Sequence, residues 1–339
     1  MSRNYRKHDQ EEESTSNCKK YYNKYYNKKS NNNKSNSTSS QSYSHGDIWD
    51  KLSLGEILAD KHTALFRGKS QYQKIDVLKV NDVRMYLDEQ LQFSSVDERL
   101  YHEALVHPAM ALVDSPESVL ILGGGDGLAL REVLKYKTVR RVDLVDLDEE
   151  VIKIATHVPE IVALNERAFF DKRVNIHAYD ARKFLRTKSR KYDVIIIDFP
   201  DPATETLSQL YTKELFSVVS SFLTKGGAFV CQSNSPEDAP LTYWSIGRTI
   251  RSTGLTVASY HTIVPSFGND WGFHIATNSS SIMRNRNPLP VTVPHRTLPK
   301  NLALLFRFRE DLLEERQNAV INTENQLILH RCYHEDMEY

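Results

Sequence analysis

The chain has 339 residues, room for two domains or for one large domain with an annex. Its 44 basic and 44 acidic residues balance, which excludes a global field that would recruit nucleic acid or an anionic membrane. Cys18, Cys231 and Cys332 stand too far apart for a zinc spacing or a disulfide framework, and no apolar run approaches the roughly 18–20 residues that span a bilayer, so the chain reads as soluble and cytoplasmic.

Residues 1–47 are rich in Asn, Ser, Lys and Tyr and nearly free of aliphatic side chains. Burial there cannot offset the entropy of ordering, and the segment is predicted to be disordered. Its stretch KKYYNKYYNKK (19–29) interleaves basic and aromatic residues in a way that suits stacking on single-stranded RNA. A solvated tail is the simpler reading, so nucleic acid is not expected as a partner. A small β-rich domain is predicted over 48–113, where QYQKIDVLKV and DVRMYLDEQLQF alternate as the strands of a hairpin or small sheet do. A short helix follows near DERLYHEALVHPAM.

From 114 to 280 strands and helices alternate. SVLIL (118–122), RVDLVDL (141–147), VNIHA (174–178), YDVIIID (192–198) and GAFVCQ (227–232) each lead to a helical stretch, and TVASYHTIV and WGFHIAT read as two final strands. Strands apolar throughout and joined by helices imply an α/β fold with a parallel sheet covered on both faces. Residues 281–339 read as a proline-containing connector, then an amphipathic helix around NLALLFRFREDLLEE packed as an annex.

Ligands of such sheets bind beyond the carboxyl ends of the strands. Asp126, Asp146, Asp180, Asp198 and Asp201 all fall there. The loop ILGGGDGLAL (121–130) permits close backbone approach, but Leu128 stands where a dinucleotide loop wants its third glycine. Asp126 would also repel a pyrophosphate. A nucleoside carrying positive charge, such as a sulfonium compound, fits better; the competing reading is that Asp126 only caps the next helix. Asp146, about 20 residues beyond the loop, is placed to accept from ribose hydroxyls. Asp180 could read an adenine amino group or simply cap a helix. DFPDP (198–202) sets two carboxylates in a proline-stiffened turn, and with Asp126 they form an anionic pocket for an amine. An alkylammonium with a pKa of about 10 arrives protonated, so a carboxylate must take its proton before or during attack. Asp198, at the strand end, is the expected acceptor.

His102, Glu103 and His107 evoke a zinc motif, but histidines five apart on a helix lie about 140° from each other and cannot share a metal as HExxH does, so no metal is expected. Trp244 and Trp271 read as core or pocket wall. Ser233 and Ser235 lack histidine and acid partners for a hydrolase.

GGGDG, the acidic strand end VDLD, the downstream Asp180 and D-x-x-D-P after YDVIIID together resemble the spermidine synthase family of polyamine aminopropyltransferases. SQYQKIDV is similar to the family's S-x-Y-Q strand and DERLYHEALVHP to its D-E-x-x-Y-H-E helix, so the resemblance runs from about 68 to 276. It implies a small β domain on a Rossmann-like, methyltransferase-type domain. It further implies that Gln73, Gly123 and Gly125 face the nucleoside, that Asp146 binds its ribose, and that Asp180 with Ala181 holds the adenine. Asp126 and His102 would hold the amine, Asp198 would accept the proton and Asp201 would anchor the amine. The reaction implied is transfer of the aminopropyl group of decarboxylated S-adenosylmethionine to an amine, putrescine by default. That compound is then a co-substrate, with no tightly bound cofactor, and a homodimer or higher homo-oligomer is the family expectation.

Two stretches depart from the common pattern. DFPDP-ATET replaces D-S-x-D-P with its Gly-Pro, and VPSFGNDWGF replaces a tyrosine-proline loop. With NTENQLILHRCYHEDM they resemble a bacterial subgroup often fused to a membrane domain, and they leave the acceptor open among putrescine, spermidine, agmatine and longer amines. An amine methyltransferase on the same fold and a non-catalytic binding homologue are the other readings of these residues.

Overall fold

Two sheets carry the fold. The computed structural model describes residues 48–187, 189–268, 270–279 and 291–338. The predicted disordered tail and residues 281–290 of the connector lie outside the described residues.

Helix α1 (Ile48–Ala59) precedes four strands, β1 (Thr63–Lys69), β2 (Lys74–Lys79), β3 (Val83–Leu87) and β4 (Gln90–Ser94), paired antiparallel in that order. Ile75, Val77, Met85 and Phe93 turn inward and join the main core. The other face, with Leu78, Tyr86 and Leu91, packs against Leu54 of α1. α1 and β1 were not anticipated: α1 buries only Leu54, and no residue of β1 is fully buried, so neither carries a clear apolar period.

Helix α2 (Glu98–Leu112) packs between the two sheets, and every residue from Tyr101 to Leu112 is buried. Pro108 inside it has no N–H to give the Ala104 carbonyl. Tyr260 Oη donates to that carbonyl at 2.8 Å instead, so no acceptor is orphaned.

The second sheet has seven strands in the order β10-β11-β9-β8-β5-β6-β7, where β5 is Ser118–Gly123, β6 Arg141–Asp146, β7 Val174–Ala178, β8 Tyr192–Asp198, β9 Leu223–Gln232, β10 Thr256–Ile263 and β11 Asp270–Thr277. The pairs β5–β6, β6–β7, β5–β8 and β8–β9 are parallel; β11 runs antiparallel to both of its neighbours. Val119, Leu120, Ile121 and Leu122 are all at 0% exposure, which is why β5 reads as a continuous apolar run. Each such side chain stabilises the fold by roughly 1.5–3 kcal/mol. The order reverses at β5, whose neighbours β6 and β8 lie on either side, and this is the crevice where an open α/β sheet takes its ligand.

The predicted amphipathic helix over 301–315 does not form as one helix. A 3-10 turn covers Leu302–Phe306, residues 307–309 are extended, and only Glu310–Glu314 is α-helical. His261 Nε2 bonds the Arg307 carbonyl at 2.6 Å, taking an acceptor that a helix would use. Phe306 packs on Tyr260 and Phe308 on Trp244; two residues apart on extended backbone they share one face, whereas on a helix they would lie about 200° apart. A last helix, Leu329–Met337, docks through Asp336, which accepts from the N–H groups of Leu241 and Thr242 at 3.2 and 2.8 Å at the start of helix Pro240–Arg251. No helix among the described residues is long and apolar enough to cross a membrane.

Candidate active site

A cavity of about 1190 Å³ opens at the carboxyl ends of β5, β6, β7, β8 and β9, with β3, β4 and α2 forming its opposite wall. Gln73, His102, Gly123, Gly125, Asp126, Asp146, Asp180, Ala181, Asp198 and Asp201, all ten residues singled out above, line it.

The glycine loop brings the strands together. Gly123 has φ +84, and a Cβ there would lie 2.1 Å from the Asp198 carbonyl oxygen, so the end of β5 can meet the end of β8 only without a side chain. Gly125 N donates to Asp146 Oδ2 at 2.9 Å, and Asp148 N donates to Oδ1 at 2.9 Å. Two backbone donors therefore fix the Asp146 carboxylate, while burial pushes its pKa up to about 6.

Gln73 does not stand alone. Its Nε2 and Ser70 Oγ both donate to Asp148 Oδ2, at 2.8 and 2.7 Å, which ties the small sheet to the loop after β6. Asp180 Oδ1 accepts from Arg182 N and Lys183 N, and Asp126 Oδ1 accepts from Leu128 N at 2.8 Å. Asp180 thus makes the capping bonds of the simpler reading, whereas Asp126 closes a turn one residue before the Gly127 cap of its helix, and both still border the cavity.

Asp198 is the focus of the acidic side. Burial pushes its pKa up to about 6, and Asp126 adds to the rise, against the opposing effects of His102 and Tyr101. Tyr101 Oη donates to Asp198 Oδ1 at 2.5 Å. Tyr101 was not singled out from the sequence, although it stands beside His102 in the same helical motif, where an inward tyrosine hydroxyl needs a partner. Its ring packs against His102, Phe267, Trp271 and Phe273 at 4.9–6.3 Å between centroids, the apolar side of the cavity.

His102 Nδ1 faces the Glu98 carbonyl at 2.8 Å, an atom that only accepts, so Nδ1 carries the proton. Burial pulls the imidazole pKa down, but the Glu98 hydrogen bond and the charges of Asp126 and Asp198 outweigh it, and the net shift is upward. Glu98 in turn holds Arg131 through two bonds of 2.8 Å and its pKa falls to about 2, since His102 and Arg131 together outweigh its burial.

His102 and His107 face different partners. The grouping that does converge is Glu103, His107 and Glu132, with ligand atoms within 4.8 Å of one another. Glu103 accepts from Arg296 N, Thr297 N and Thr297 Oγ1, and Glu132 meets His107, Arg131, Arg99 and Lys135. These contacts make it an ion network that pins residues 296–297 to α2. Trp271 lines the cavity and Trp244 lies in a core cluster with Tyr243.

Sheet order, glycine loop and acidic crevice define the class: a Rossmann-like domain of the methyltransferase type, preceded by a small antiparallel sheet. The family profile described as "Spermine/spermidine synthase domain" matches residues 98–286. Polyamine aminopropyltransferase 2 of Bacillus cereus is 64% identical over 293 residues, 86% of this chain and 80% of its own. The polyamine aminopropyltransferase of Oceanobacillus iheyensis is 51% identical over 210 residues, covering 62% of this chain and 41% of that longer one. A crystal structure of spermidine synthase in complex with the transition-state analogue AdoDATO superposes with a TM-score of 0.69 at 26% identity, over 75% of this chain and 88% of that one. The spermidine synthase of Thermotoga maritima gives 0.67 at 25% identity, over 75% and 87%. The chain belongs to the spermine/spermidine synthase family.

Proposed function

We propose that the protein is a polyamine aminopropyltransferase that moves the aminopropyl group of decarboxylated S-adenosylmethionine to an amine, putrescine by default, and releases methylthioadenosine. The observation that carries this reading is the placement of Asp198. It is a half-buried carboxylate at the end of β8, bonded to Tyr101 and bordering the same cavity as Asp126, Asp201 and His102.

In this reading Asp146 holds the ribose, with Gly123, Gly125 and Gln73 shaping the nucleoside side, and Asp180 and Ala181 border the base. Asp126 and His102 hold the acceptor amine, and Asp201 anchors it. The amine arrives as an ammonium with a pKa of about 10. Raising Asp198 from 3.8 to about 6 narrows the gap to that ammonium from about six units to about four. Asp198 takes the proton, and the freed nitrogen lone pair attacks the carbon next to sulfur. The carbon–sulfur bond breaks with its electron pair going to sulfur, which leaves as a neutral thioether. Alignment and proton removal supply most of the acceleration.

The same reading makes decarboxylated S-adenosylmethionine a co-substrate rather than a resident group. It treats 48–113, 114–280 and 281–339 as the functional units after the N-terminal tail and puts the enzyme in the cytoplasm as a homodimer or higher homo-oligomer. The test is to offer putrescine, cadaverine, agmatine and spermidine in turn with decarboxylated S-adenosylmethionine and to weigh the amine products. A gain of one aminopropyl unit names the acceptor; a methylated amine formed from the intact cofactor would replace this reading by a methyltransferase.

A further inference from the structure

Asn234 lies in the loop between β9 and the helix that begins at Pro240. It is 2% exposed and has φ +64. Asparagine is one of the few residues besides glycine that visit the left-handed region, because its side chain can hydrogen-bond locally. A turn whose only task was to reverse the chain would be served better by glycine. Here every polar group of Asn234 is engaged. Its N–H donates to Gln232 Oε1 at 3.1 Å, its carbonyl accepts from Gly272 N at 2.8 Å, and its Oδ1 accepts from Ser235 N at 2.5 Å. Its Nδ2 donates to Asp201 Oδ2 at 2.9 Å.

The other oxygen of Asp201 receives Gln232 Nε2 at 3.1 Å, and that amide is anchored on the Phe199 carbonyl at 2.6 Å. Two amides from the end of β9 thus hold the two oxygens of one carboxylate, and all three side chains border the cavity. β11 closes on the loop from behind. A Cβ on Gly272 would lie 2.9 Å from the Asn234 carbonyl and 2.3 Å from the Tyr243 ring, so the loop comes closer to β11 than any side chain at 272 would allow.

We infer that Asn234 is a positioning residue for the acceptor: its amide fixes the plane of the Asp201 carboxylate that anchors the amine's ammonium group. The inference rests on the aminopropyl-transfer reading. An ammonium is a compact charge with no fork of its own, so the reach and angle of its anchor set where the attacking nitrogen lies. A freely turning Asp201 would have to be ordered each time the amine binds, so it would hold the amine more weakly and the cost would fall on KM.

The experiment uses Asn234→Gly, which keeps the left-handed backbone and removes only the amide. The KM for the amine is expected to rise about tenfold, as loss of a hydrogen bond to a charged group implies, while kcat stays within about twofold. Methylthioadenosine affinity by calorimetry stays at the wild-type value and confirms that the variant is folded. Combined with Asp201→Asn, the change has no further effect, because both act through one contact. Asn234→Ser, whose hydroxyl falls short of Asp201, gives the same split should the glycine variant not fold. An unchanged amine KM, equal loss of nucleoside affinity, or additive effects in the double variant would overturn the inference. A wild-type enzyme with no transfer activity would instead overturn the reading beneath it.

Discussion

Tyr101 and Asp198 are joined by a hydrogen bond of 2.5 Å, although 97 positions separate them in the chain. One sits on the helix between the sheets and the other ends the central strand β8. The bond therefore couples the aromatic side of the cavity to its acidic side, and it favours the ionised form of Asp198 against the burial that opposes it.

Removing that bond should move the pH profile. Tyr101→Phe takes away a donor that lowers the Asp198 pKa, so the acid limb of kcat/KM is expected to shift to higher pH. The loss of rate at the plateau is expected to be about tenfold, in line with a charge-assisted hydrogen bond. Rate measurements from pH 5 to 9 check both; a profile unmoved at its acid limb contradicts the role given to Tyr101.

Asp198→Asn should trade activity for stability. The folded pKa of about 6 lies above the ordinary 3.8, so the folded state is penalised for holding this charge. The penalty is absent below about pH 4, grows as pH rises to about 6 and then stays constant, at an order of 3 kcal/mol. The neutral variant should therefore melt higher than the wild type at pH 8 and equally at pH 4. Turnover should fall by at least about a hundredfold, the usual contribution of a general base, while methylthioadenosine still binds.

Gly125→Ala should damage the nucleoside side alone. The new methyl group would lie 2.7 Å from Asp146 Oδ2 and displace the carboxylate from the position its two backbone donors fix. Methylthioadenosine affinity is expected to drop by about tenfold or more. Calorimetry decides, and an unchanged affinity would remove Asp146 from the ribose site.

The buried pair Glu98–Arg131 should matter more broken than intact. Arg131→Met leaves the Glu98 carboxylate beside His102 without its main cation, at a cost of about 3–5 kcal/mol in denaturant unfolding. Because the Glu98 pKa is lowered to about 2, its contribution is present above the ordinary value of 4.5 and is lost as pH falls toward 2. The destabilisation by Arg131→Met should shrink over that window.

The parallel sheet was legible because its inner strands are buried on both faces and so run apolar, as in the VIII of β8; the edge strand β7, VNIHA, has no fully buried residue, yet it too matched residue for residue. The acidic site was legible because strand ends in this architecture point at one crevice. What escaped were features set by partners distant in sequence. Helix α1 and strand β1 owe their place to the neighbouring strands more than to their own pattern. The helix predicted over 301–315 yields to His261, which takes the Arg307 carbonyl, and to the aromatic partners of Phe306 and Phe308. Tyr101 escaped because an inward tyrosine on a buried helix looks like core until Asp198 is seen beside it.

The most direct measurement is a product balance with purified protein, putrescine and either decarboxylated or intact S-adenosylmethionine. Equal amounts of methylthioadenosine and an amine heavier by one aminopropyl unit are expected from the decarboxylated compound, and no turnover of the intact one. Consumption of the intact compound with a methylated amine as product, or no amine product from a folded protein with any acceptor, would contradict aminopropyl transfer.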